Sequence, residues 1–348
     1  MIDADALLSA SRRPLVLGIG GGGDVVGALA TAEACRAHGA SPVVGGVTWE
    51  RRPIDPMPGP RAEAEIENAR RIAPGVRGAT GETRVRDSGV LFAESRMAEL
   101  LGEETVLVDA TLGPAAIADG LGAAAAELGA DLIVFVDVNL GPAALADGLG
   151  AAAAELGVDL IVFLDVGGDA LAHGEEAGLA SPLCDSVMLA AAARLAERPG
   201  TPVLGAIFGV GCDGELTVAE VLDRIAEVAG AGGFAGARGL TAPIAARLEE
   251  AVEAVPTEAS AQALRCFRGE TGTATIRQGR RTVELSPVGA LTFYFDVPAA
   301  VGSAARLAAA VMEARDLDHA NELLHERGVR TELDYERDAL HTVRQSSN

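Results

Sequence analysis

A run of glycines followed by an aspartate is the strongest chemical signal in the sequence, and it reads G-I-G-G-G-G-D from Gly18 to Asp24. It follows the apolar residues 15–17 and precedes a helix-like stretch at 25–37. The first, third and sixth residues have the G-x-G-x-x-G spacing of a ligand-binding turn between a strand and a helix. Glycine lets a ligand approach backbone N–H groups, and the helix directs the positive end of its dipole at an anion. The pattern therefore predicts a phosphate or carboxylate ligand bound by Gly18, Gly20, Gly21, Gly22, Gly23 and Asp24.

Aspartates at the ends of predicted strands are the next candidates for chemistry. Asp165 ends a buried strand and is followed by Gly-Gly-Asp, and Asp213 follows a later strand in the order G-V-G-C-D. The carboxyl ends of parallel strands meet at one edge of a sheet, and carboxylate oxygens are ligands that Mg²⁺ prefers. The alternative is that these residues only cap helices and turns.

The predicted catalytic residues are Asp165, Asp169 and Asp213. The predicted metal ligands are Asp24, Asp165 and Asp169. Further ligand contacts are predicted at Gly167, Gly168 and Gly211, and Asp185 and Glu215 are weaker candidates of the acidic set.

Three observations discriminate between the ligands that a glycine loop can hold. Asp24 would repel a phosphate unless a divalent cation intervened, so the loop favours an anion held partly through Mg²⁺, although Asp24 could instead cap its helix. A nicotinamide dinucleotide needs an acidic residue at the end of the second strand, and Glu50 comes late for that role, so NAD is less favoured than another nucleotide. The chain contains no lysine, which excludes a Walker P-loop and a pyridoxal phosphate Schiff base.

Composition narrows the class of protein further. The 348 residues carry a formal net charge of −22 without a long basic stretch, so nucleic-acid binding is not expected. No apolar run reaches the roughly 18 residues of a membrane span, and the four cysteines are scattered without a C-x-x-C pair. We therefore expect an acidic cytoplasmic protein with a small anionic ligand. A homo-oligomer stays open.

A tandem duplication lies between the two candidate regions. Residues 112–138 recur at 140–166 with only three differences, at the pairs 117/145, 130/158 and 136/164. Each copy has the pattern of one helix and one strand, and a further strand precedes both, so three strands end on an aspartate: Asp109, Asp137 and Asp165. Asp165 is favoured for the site because Gly-Gly-Asp follows it. The extra copy either adds a strand to the sheet or bulges out, and if it is dispensable, a chain without 112–139 should still fold.

Strands and helices alternate along most of the chain, which predicts an α/β fold. We expect a doubly wound, mainly parallel Rossmann-like sheet with helices on both faces, plus a small C-terminal region of helices and a β-hairpin. The predicted division is a core at 1–240, which contains the duplication, and a C-terminal region at 241–348 packed on it. The hairpin is either an appended lobe or an antiparallel edge of the sheet.

Two other segments could contribute to a site. A loop at 49–60, rich in proline and arginine, either covers the site or crosses the surface. The hairpin arginines could bind an anion or simply be solvated, and a hydroxyl just before them along the chain could face a ligand. These residues are Arg277, Arg280 and Arg281, with Thr257 or Ser260 as the hydroxyl.

Several motifs carry a resemblance to a known family. Between about residues 13 and 296 the chain contains, in order, G-I-G-G-G-G-D-V-V-G-A, T-W-E-R-R, D-V-G-G-D, S-P-L-C-D, G-C-D-G-E-L, V-P-T-E-A-S and R-R-T-V-E-L-S-P. Together they resemble family 1152 of domains of unknown function, found in archaea and bacteria. The resemblance implies a cytoplasmic α/β protein and brings no activity or catalytic residues with it. The second copy of the repeat departs from the family pattern.

Two hypotheses for function follow from the sequence. The first is an enzyme that binds a nucleotide, or another phosphorylated or carboxylated metabolite, at Gly18 to Gly23 and uses Mg²⁺ for phosphoryl transfer or hydrolysis. The second is a non-catalytic sensor or assembly subunit that uses the same pocket. The glycine run also resembles the first glycine loop of the bacterial tubulin-like GTPases, but their later G-G-G-T-G-T-G loop is missing here.

Overall fold

A large mixed sheet forms the centre of the molecule. The computed structural model describes residues 2–73, 76–106, 132–136, 141–143, 146–147, 157–197 and 201–346. Its strands are β1 (Pro14–Gly18), β2 (Val43–Val47), β3 (Ile66–Ala73), β4 (Val76–Val85), β5 (Glu104–Val106), β6 (Leu132–Val136), β7 (Leu160–Val166), β8 (Val203–Phe208), β9 (Phe234–Gly239), β10 (Gly272–Ile276), β11 (Arg281–Leu285) and β12 (Leu291–Phe295). Ten of these strands form one sheet in the order β3-β4-β5-β6-β2-β1-β7-β8-β12-β9.

The six strands at the centre of the sheet, from β5 to β8, run parallel to one another. Every residue of β1, β2, β7 and β8 is buried. Parallel strands are covered by helices on both faces, and their sequences are therefore continuously apolar rather than alternating. The predicted mainly parallel α/β fold is confirmed.

Helices pack on both faces of this sheet. They are α1 (Ala4–Ala10), α2 (Asp24–Arg36), α3 (Ala93–Leu101), α4 (Pro182–Ala196), α5 (Val218–Gly230), α6 (Ala242–Ala254), α7 (Ala259–Phe267), α8 (Val297–Val301), α9 (Arg306–Val311), α10 (Leu317–His325) and α11 (Glu332–Ser346). Successive side chains of a strand point to opposite faces. Val16 of β1 accordingly joins the core formed with α2, α3, α6 and α7, whereas Leu15 and Leu17 join the core formed with α4, α5 and the last helices. Within the described residues, no helix is both long enough and apolar enough to cross a membrane.

The chain changes direction across the sheet between β1 and β7, which are neighbours. From β1 it passes to β2 on one side, and from β7 it passes to β8 on the other. In open α/β sheets, ligands bind in the crevice outside the carboxyl ends of the strands at such a reversal. The glycine loop follows β1 and the Gly-Gly-Asp segment follows β7, so both candidate loops lie at this point.

Both copies of the duplicated unit contribute a strand to the sheet. The first copy supplies β6, which pairs with β5 and β2, and the second supplies β7, which pairs with β1 and β8. The β2-β1 pair therefore separates two strands of nearly identical sequence. Asp109 and Asp137, the other two aspartates at predicted strand ends, lie outside the described residues.

The C-terminal region joins the main sheet and also forms a separate hairpin. Strand β12 lies antiparallel between β8 and β9. Tyr294 of β12 and Thr31 of α2, both fully buried, share a hydrogen bond of 2.9 Å between their hydroxyl groups. Strands β10 and β11 form their own two-stranded sheet. The predicted boundary near residue 240 thus falls after β9, and β12 returns to the sheet from beyond it; the division into two regions stays a prediction.

Deletion of residues 112–139 should destabilise the protein, because it removes β6 and with it the strand that joins β5 to β2. We expect a loss of unfolding free energy well beyond the roughly 1 kcal/mol of a typical single substitution. Urea unfolding of the full and shortened chains, followed by circular dichroism, measures this difference. Equal urea midpoints would show instead that one copy of the unit is enough to complete the sheet.

Candidate functional site

The glycine loop between β1 and α2 is glycine-rich because protein atoms approach it closely. A Cβ atom at Gly21, where φ is +81°, would lie 2.8 Å from the carbonyl oxygen of Trp49. At Gly23 it would lie 2.3 Å from Oγ1 of Thr257, and at Gly18 it would lie 2.4 Å from the backbone of Asp24. Close packing thus accounts for these glycines, while the loop still ends at the positively polarised N-terminus of α2.

Asp24 is the first residue of α2, and its carboxylate turns back over the loop. Its Oδ2 accepts a hydrogen bond of 2.9 Å from the N–H group of Gly20. A Cβ at Gly20 would lie 2.7 Å from that oxygen and 3.1 Å from both carboxylate oxygens of Asp185. The absence of a side chain at Gly20 therefore lets two carboxylates meet above the loop.

The first triad consists of Asp24, Asp165 and Asp185. One carboxylate oxygen from each lies within 4.8 Å of the others. Asp165 comes from β7 and Asp185 from the first turn of α4, and they are only 1% and 2% exposed. Oδ2 of Asp165 accepts from the N–H group of Ala170 at 3.1 Å, whereas the buried Oδ1 of Asp185 has no hydrogen-bond partner among the described residues.

The second triad consists of Asp169, Asp213 and Glu215, whose carboxylate oxygens meet the same 4.8 Å limit. Asp169 lies in a 3-10 turn after β7, and the other two lie in the loop after β8. Glu215 is held firmly, because its Oε2 accepts N–H groups of residues 180 and 181 at 2.7 and 2.8 Å and its Oε1 pairs with Nη1 of Arg281 at 2.8 Å. Within the described chain, the buried Oδ1 of Asp213 has no partner.

The predicted glycines after β7 and β8 bring these two loops together. A Cβ at Gly167, where φ is +128°, would lie 2.2 Å from Cγ of Asp213. Gly168 has a φ of +125° and faces Val221 of α5, and the N–H group of Gly211 donates to the carbonyl oxygen of Gly167 at 2.8 Å. Gly167 thus lets Asp213 approach the end of β7, and Gly168 lets Val221 of α5 approach it.

Burial raises the pKa of every aspartate in the two triads. The pKa of Asp24 rises to about 7 and that of Asp213 to about 8. For Asp165, Asp169 and Asp185 the pKa lies well above its usual value, because neighbouring carboxylates add to the effect of burial. The triads also act on each other, since Asp213 raises the pKa of Asp165, and Asp185 raises that of Asp169. Five of the six carboxyl groups are buried and Asp24 is half-buried, so those without an ion pair must either hold protons or share a cation.

The loop at 49–60 contacts the glycine loop through Arg51. Its guanidinium lies 4.3 Å from the ring centre of Trp49, and its Nη2 donates to the carbonyl oxygen of Gly20 and, at 3.2 Å, to Oε1 of Glu332. Glu332, the first residue of α11, also accepts the N–H groups of residues 183 and 184 at the start of α4. One C-terminal carboxylate therefore ties this loop to the helix that carries Asp185.

Glu50 is used elsewhere than at the end of β2. Its Oε1 accepts the N–H group of Ala93 at the start of α3, and burial raises its pKa to about 7. Burial and the charge of Glu50 raise the pKa of its neighbour Glu94 well above the usual value. The carboxylate of Glu50 is thus bound to the N-terminus of α3. In a dinucleotide site it would instead face a ribose hydroxyl.

Comparison with known protein families decides the family. The model described as "Protein of unknown function (DUF1152)" matches residues 15–139 and 134–340. The chain belongs to the DUF1152 family. The resemblance seen in the motifs is confirmed, and the two matched segments of this DUF1152 chain overlap inside the duplicated region. Neither a curated protein nor a solved structure is significantly similar to the chain.

The aspartates predicted as metal ligands or catalytic residues are divided between the two triads. Asp24 and Asp165 lie in the first triad, and Asp169 and Asp213 lie in the second. Asp185 and Glu215, the weaker candidates of the sequence, complete them. Their signal was an aspartate in the first turn of a helix after Ser-Pro, and a glutamate two residues beyond Asp213. Arg51 and Glu332 carry no local sequence signal for the site, because only the fold brings them together.

In metal-free protein, the raised pKa values should make stability fall as the pH rises. In the unfolded chain, the carboxyl groups of Asp24 and Asp213 both have the ordinary pKa of 3.8. In the folded protein the pKa is about 7 for Asp24 and about 8 for Asp213. The unfolded state therefore loses these protons first, and stability is lost between about pH 4 and pH 8. We expect the melting temperature to fall by roughly 5 °C from pH 5 to pH 8.

Two variants distinguish the ionisation of the site carboxyl groups from general repulsion among the acidic groups of the protein. Asp213→Asn should flatten the decrease, whereas Asp318→Asn, at a side chain 70% exposed on the surface, should leave it unchanged. Differential scanning calorimetry across the pH range makes the comparison. Equal slopes for all three proteins would show that Asp213 is already ionised at pH 5.

Proposed function

We propose that the protein is an enzyme that binds a small anionic metabolite at the carboxyl edge of its sheet and uses Mg²⁺ for phosphoryl transfer or hydrolysis. The observation that carries this proposal is the pair of adjoining acidic triads, each with a buried carboxylate oxygen that has no hydrogen-bond partner in the described part of the chain. They lie at the reversal point of the sheet, beside the N-terminus of α2.

The charge balance favours a divalent cation over protons alone. An ionised carboxylate that is buried without a partner is strongly destabilising, and cations are the usual compensation. Among the described residues, Glu215 forms an ion pair with Arg281, and no such ion pair joins the five aspartates to an arginine. Hard oxygen ligands from three carboxylates suit Mg²⁺, with the first triad as one site and the second as another.

The residues of each triad would have different tasks. In the first triad, Asp24 and Asp185 both lie in the first turn of a helix, and each would offer a carboxylate oxygen to the cation. In the second, Glu215 is fixed by three hydrogen-bonding or ionic contacts, which makes it suited to orienting a ligand. Asp213, with a pKa near 8, is suited to exchanging a proton near neutral pH.

A bound divalent cation would supply two kinds of chemistry, because it polarises an oxygen of the anion and makes a bound water more acidic. Phosphoryl transfer and hydrolysis both use this combination. A non-catalytic sensor would use the same carboxylates for binding, and it would differ in showing no turnover.

Asp165→Asn should weaken Mg²⁺ binding at pH 8 by at least about tenfold, because it removes a charged ligand from the first triad. The fold should survive, since the asparagine oxygen can still accept the N–H group of Ala170. In metal-free protein at pH 8 we expect the variant to be as stable as the wild type or more stable, because a buried charge is removed. Isothermal titration calorimetry with Mg²⁺ and thermal unfolding measure the two effects.

Asp318→Asn is the matched control, because it removes the same charge from the surface and should leave Mg²⁺ binding unchanged. A wild-type protein that binds no divalent cation at pH 8 would refute the proposal. Where Mg²⁺ binds, a panel of phosphorylated metabolites tests turnover, and Asp165→Asn should abolish it. Binding without turnover for every compound of the panel would favour the sensor.

A further inference from the structure

We propose that Arg51 and Arg277 form an anion subsite over the glycine loop and that this subsite takes the phosphoryl group of a phosphorylated substrate. The inference rests on the proposed function for the cation beneath it. It adds two residues from distant parts of the chain and narrows the substrate from anions in general to phosphorylated compounds.

Arg51 is a fixed guanidinium with an unused donor. Its plane lies over Trp49, and Nη2 is occupied by Gly20 and Glu332. Nη1 is buried and has no hydrogen-bond partner among the described residues. A Cβ atom at Gly22 would lie 3.4 Å from Cγ of Arg51, so the side chain lies directly against the glycine loop. A buried guanidinium donor of this kind suits an oxyanion.

Arg277 is held in a backbone conformation that an arginine rarely adopts. It begins the turn between β10 and β11 with φ of +53°, and Gln278 follows with φ of +59°. Positive φ at successive residues is the geometry that closes tight hairpin turns, and it fixes the backbone from which the Arg277 side chain leaves. The N–H group of Arg277 donates to both carboxylate oxygens of Glu258, at 3.1 and 2.9 Å, which holds the turn in place.

The same anchor places the turn near the glycine loop. Glu258 follows Thr257, and Oγ1 of Thr257 lies 2.3 Å from where a Cβ of Gly23 would be. Thr257 therefore contacts the glycine loop, and the residue after it holds the turn that carries Arg277. Arg51 and the Arg277 turn, from distant parts of the chain, are thus both anchored beside the glycine loop.

Arg277 is paired with a carboxylate less tightly than its neighbour Arg281. Partial burial lowers the pKa of Arg277 and the charges of Arg281 and Arg51 lower it further, while the carboxylates of Glu258 and Glu215 oppose this effect. Arg281 is neutralised by Glu215 at 2.8 Å, whereas Nε of Arg277 lies 3.9 Å from its nearest carboxylate oxygen in an ion pair, on Glu258. An anion between Arg51 and Arg277 would relieve the repulsion between them.

The geometry favours a phosphoryl group over a carboxylate. A phosphoryl group has three acceptor oxygens and a charge of about −1.5 to −2, whereas a carboxylate has two oxygens and a single charge. The guanidinium groups of Arg51 and Arg277 would supply the donors, and a cation held by the first triad would lie beside them. Because the carboxylates of the first triad repel a phosphate, we expect phosphate to bind tightly only when Mg²⁺ is present.

Calorimetric titration of inorganic phosphate into the full chain, with and without Mg²⁺, tests the subsite. Arg277→Gly and Arg51→Lys should each weaken Mg²⁺-dependent phosphate binding by roughly tenfold or more, the usual effect of losing hydrogen bonds to a charged group. Mg²⁺ binding itself should be unchanged in both variants. Arg51→Lys keeps a positive charge beside Glu332 but removes the paired guanidinium donors. A loss of phosphate binding in this variant would therefore show that these donors are required.

The Arg277→Gly variant has a second readout that a structural role would not give. Glycine adopts a positive φ without strain, so its melting temperature should equal or exceed that of the wild type while phosphate binding falls. Arg268→Gln removes an arginine that is 55% exposed and pairs with Glu249 on the surface, and it should bind phosphate normally.

Each result bears on one of the two proposals. Unchanged phosphate binding in both arginine variants would overturn the subsite, and so would a wild-type protein that binds Mg²⁺ but no phosphate. Malonate binding as tight as phosphate, and lost in the same variants, would overturn the choice of a phosphoryl group. Phosphate binding that depends on both arginines in a protein that binds no Mg²⁺ would support the subsite and refute the metal-dependent function.

Discussion

The close approach of six carboxyl groups, five of them buried, at one edge of the sheet is the constraint on which the rest of the site depends. Each loses hydration and repels its neighbours, which is why the pKa values of all five aspartates rise. The fold compensates in part with hydrogen bonds from backbone N–H groups: Gly20 donates to Asp24, and Ala170 donates to Asp165. An arginine also forms an ion pair with Glu215. What remains must be balanced by protons or cations, so protonation, cation affinity and stability are linked in one equilibrium.

The C-terminal region completes this balance from a distance. Glu332 accepts the first free N–H groups of α4, which would otherwise lack partners, and it also pairs with Arg51. Arg281 neutralises Glu215, and Glu258 holds the turn that carries Arg277. The acidic edge built by β1, β7 and β8 is therefore framed by charges that the chain supplies only after residue 241. This explains why the hairpin and the last helices pack beside the site although β10 and β11 lie outside the main sheet.

Local features of the site could be predicted from the sequence, and features that depend on tertiary contacts could not. The strand, glycine turn and helix around Gly18 to Asp24 follow from neighbouring residues, as does the position of Asp165 at the end of a buried strand. The division of the aspartates into two triads depends on how α4 and the loop after β8 approach β7, which no local pattern encodes. Arg51 and Glu332 are 281 positions apart, and their pairing exists only in the folded chain.

The duplication shows the same limit most clearly, because the two strands β6 and β7 are almost identical in sequence yet have different neighbours. β7 lies beside β1 and thus next to the glycine loop, whereas β6 lies beside β2 and β5. An aspartate at the end of such a strand becomes part of an acidic triad only where the neighbouring strand leads to Asp24 and helix α4 supplies Asp185. Position in the sheet, rather than the identity of the strand, therefore determines that Asp165 belongs to the site. The Gly-Gly-Asp that follows Asp165 was informative in the sequence because it marks that position.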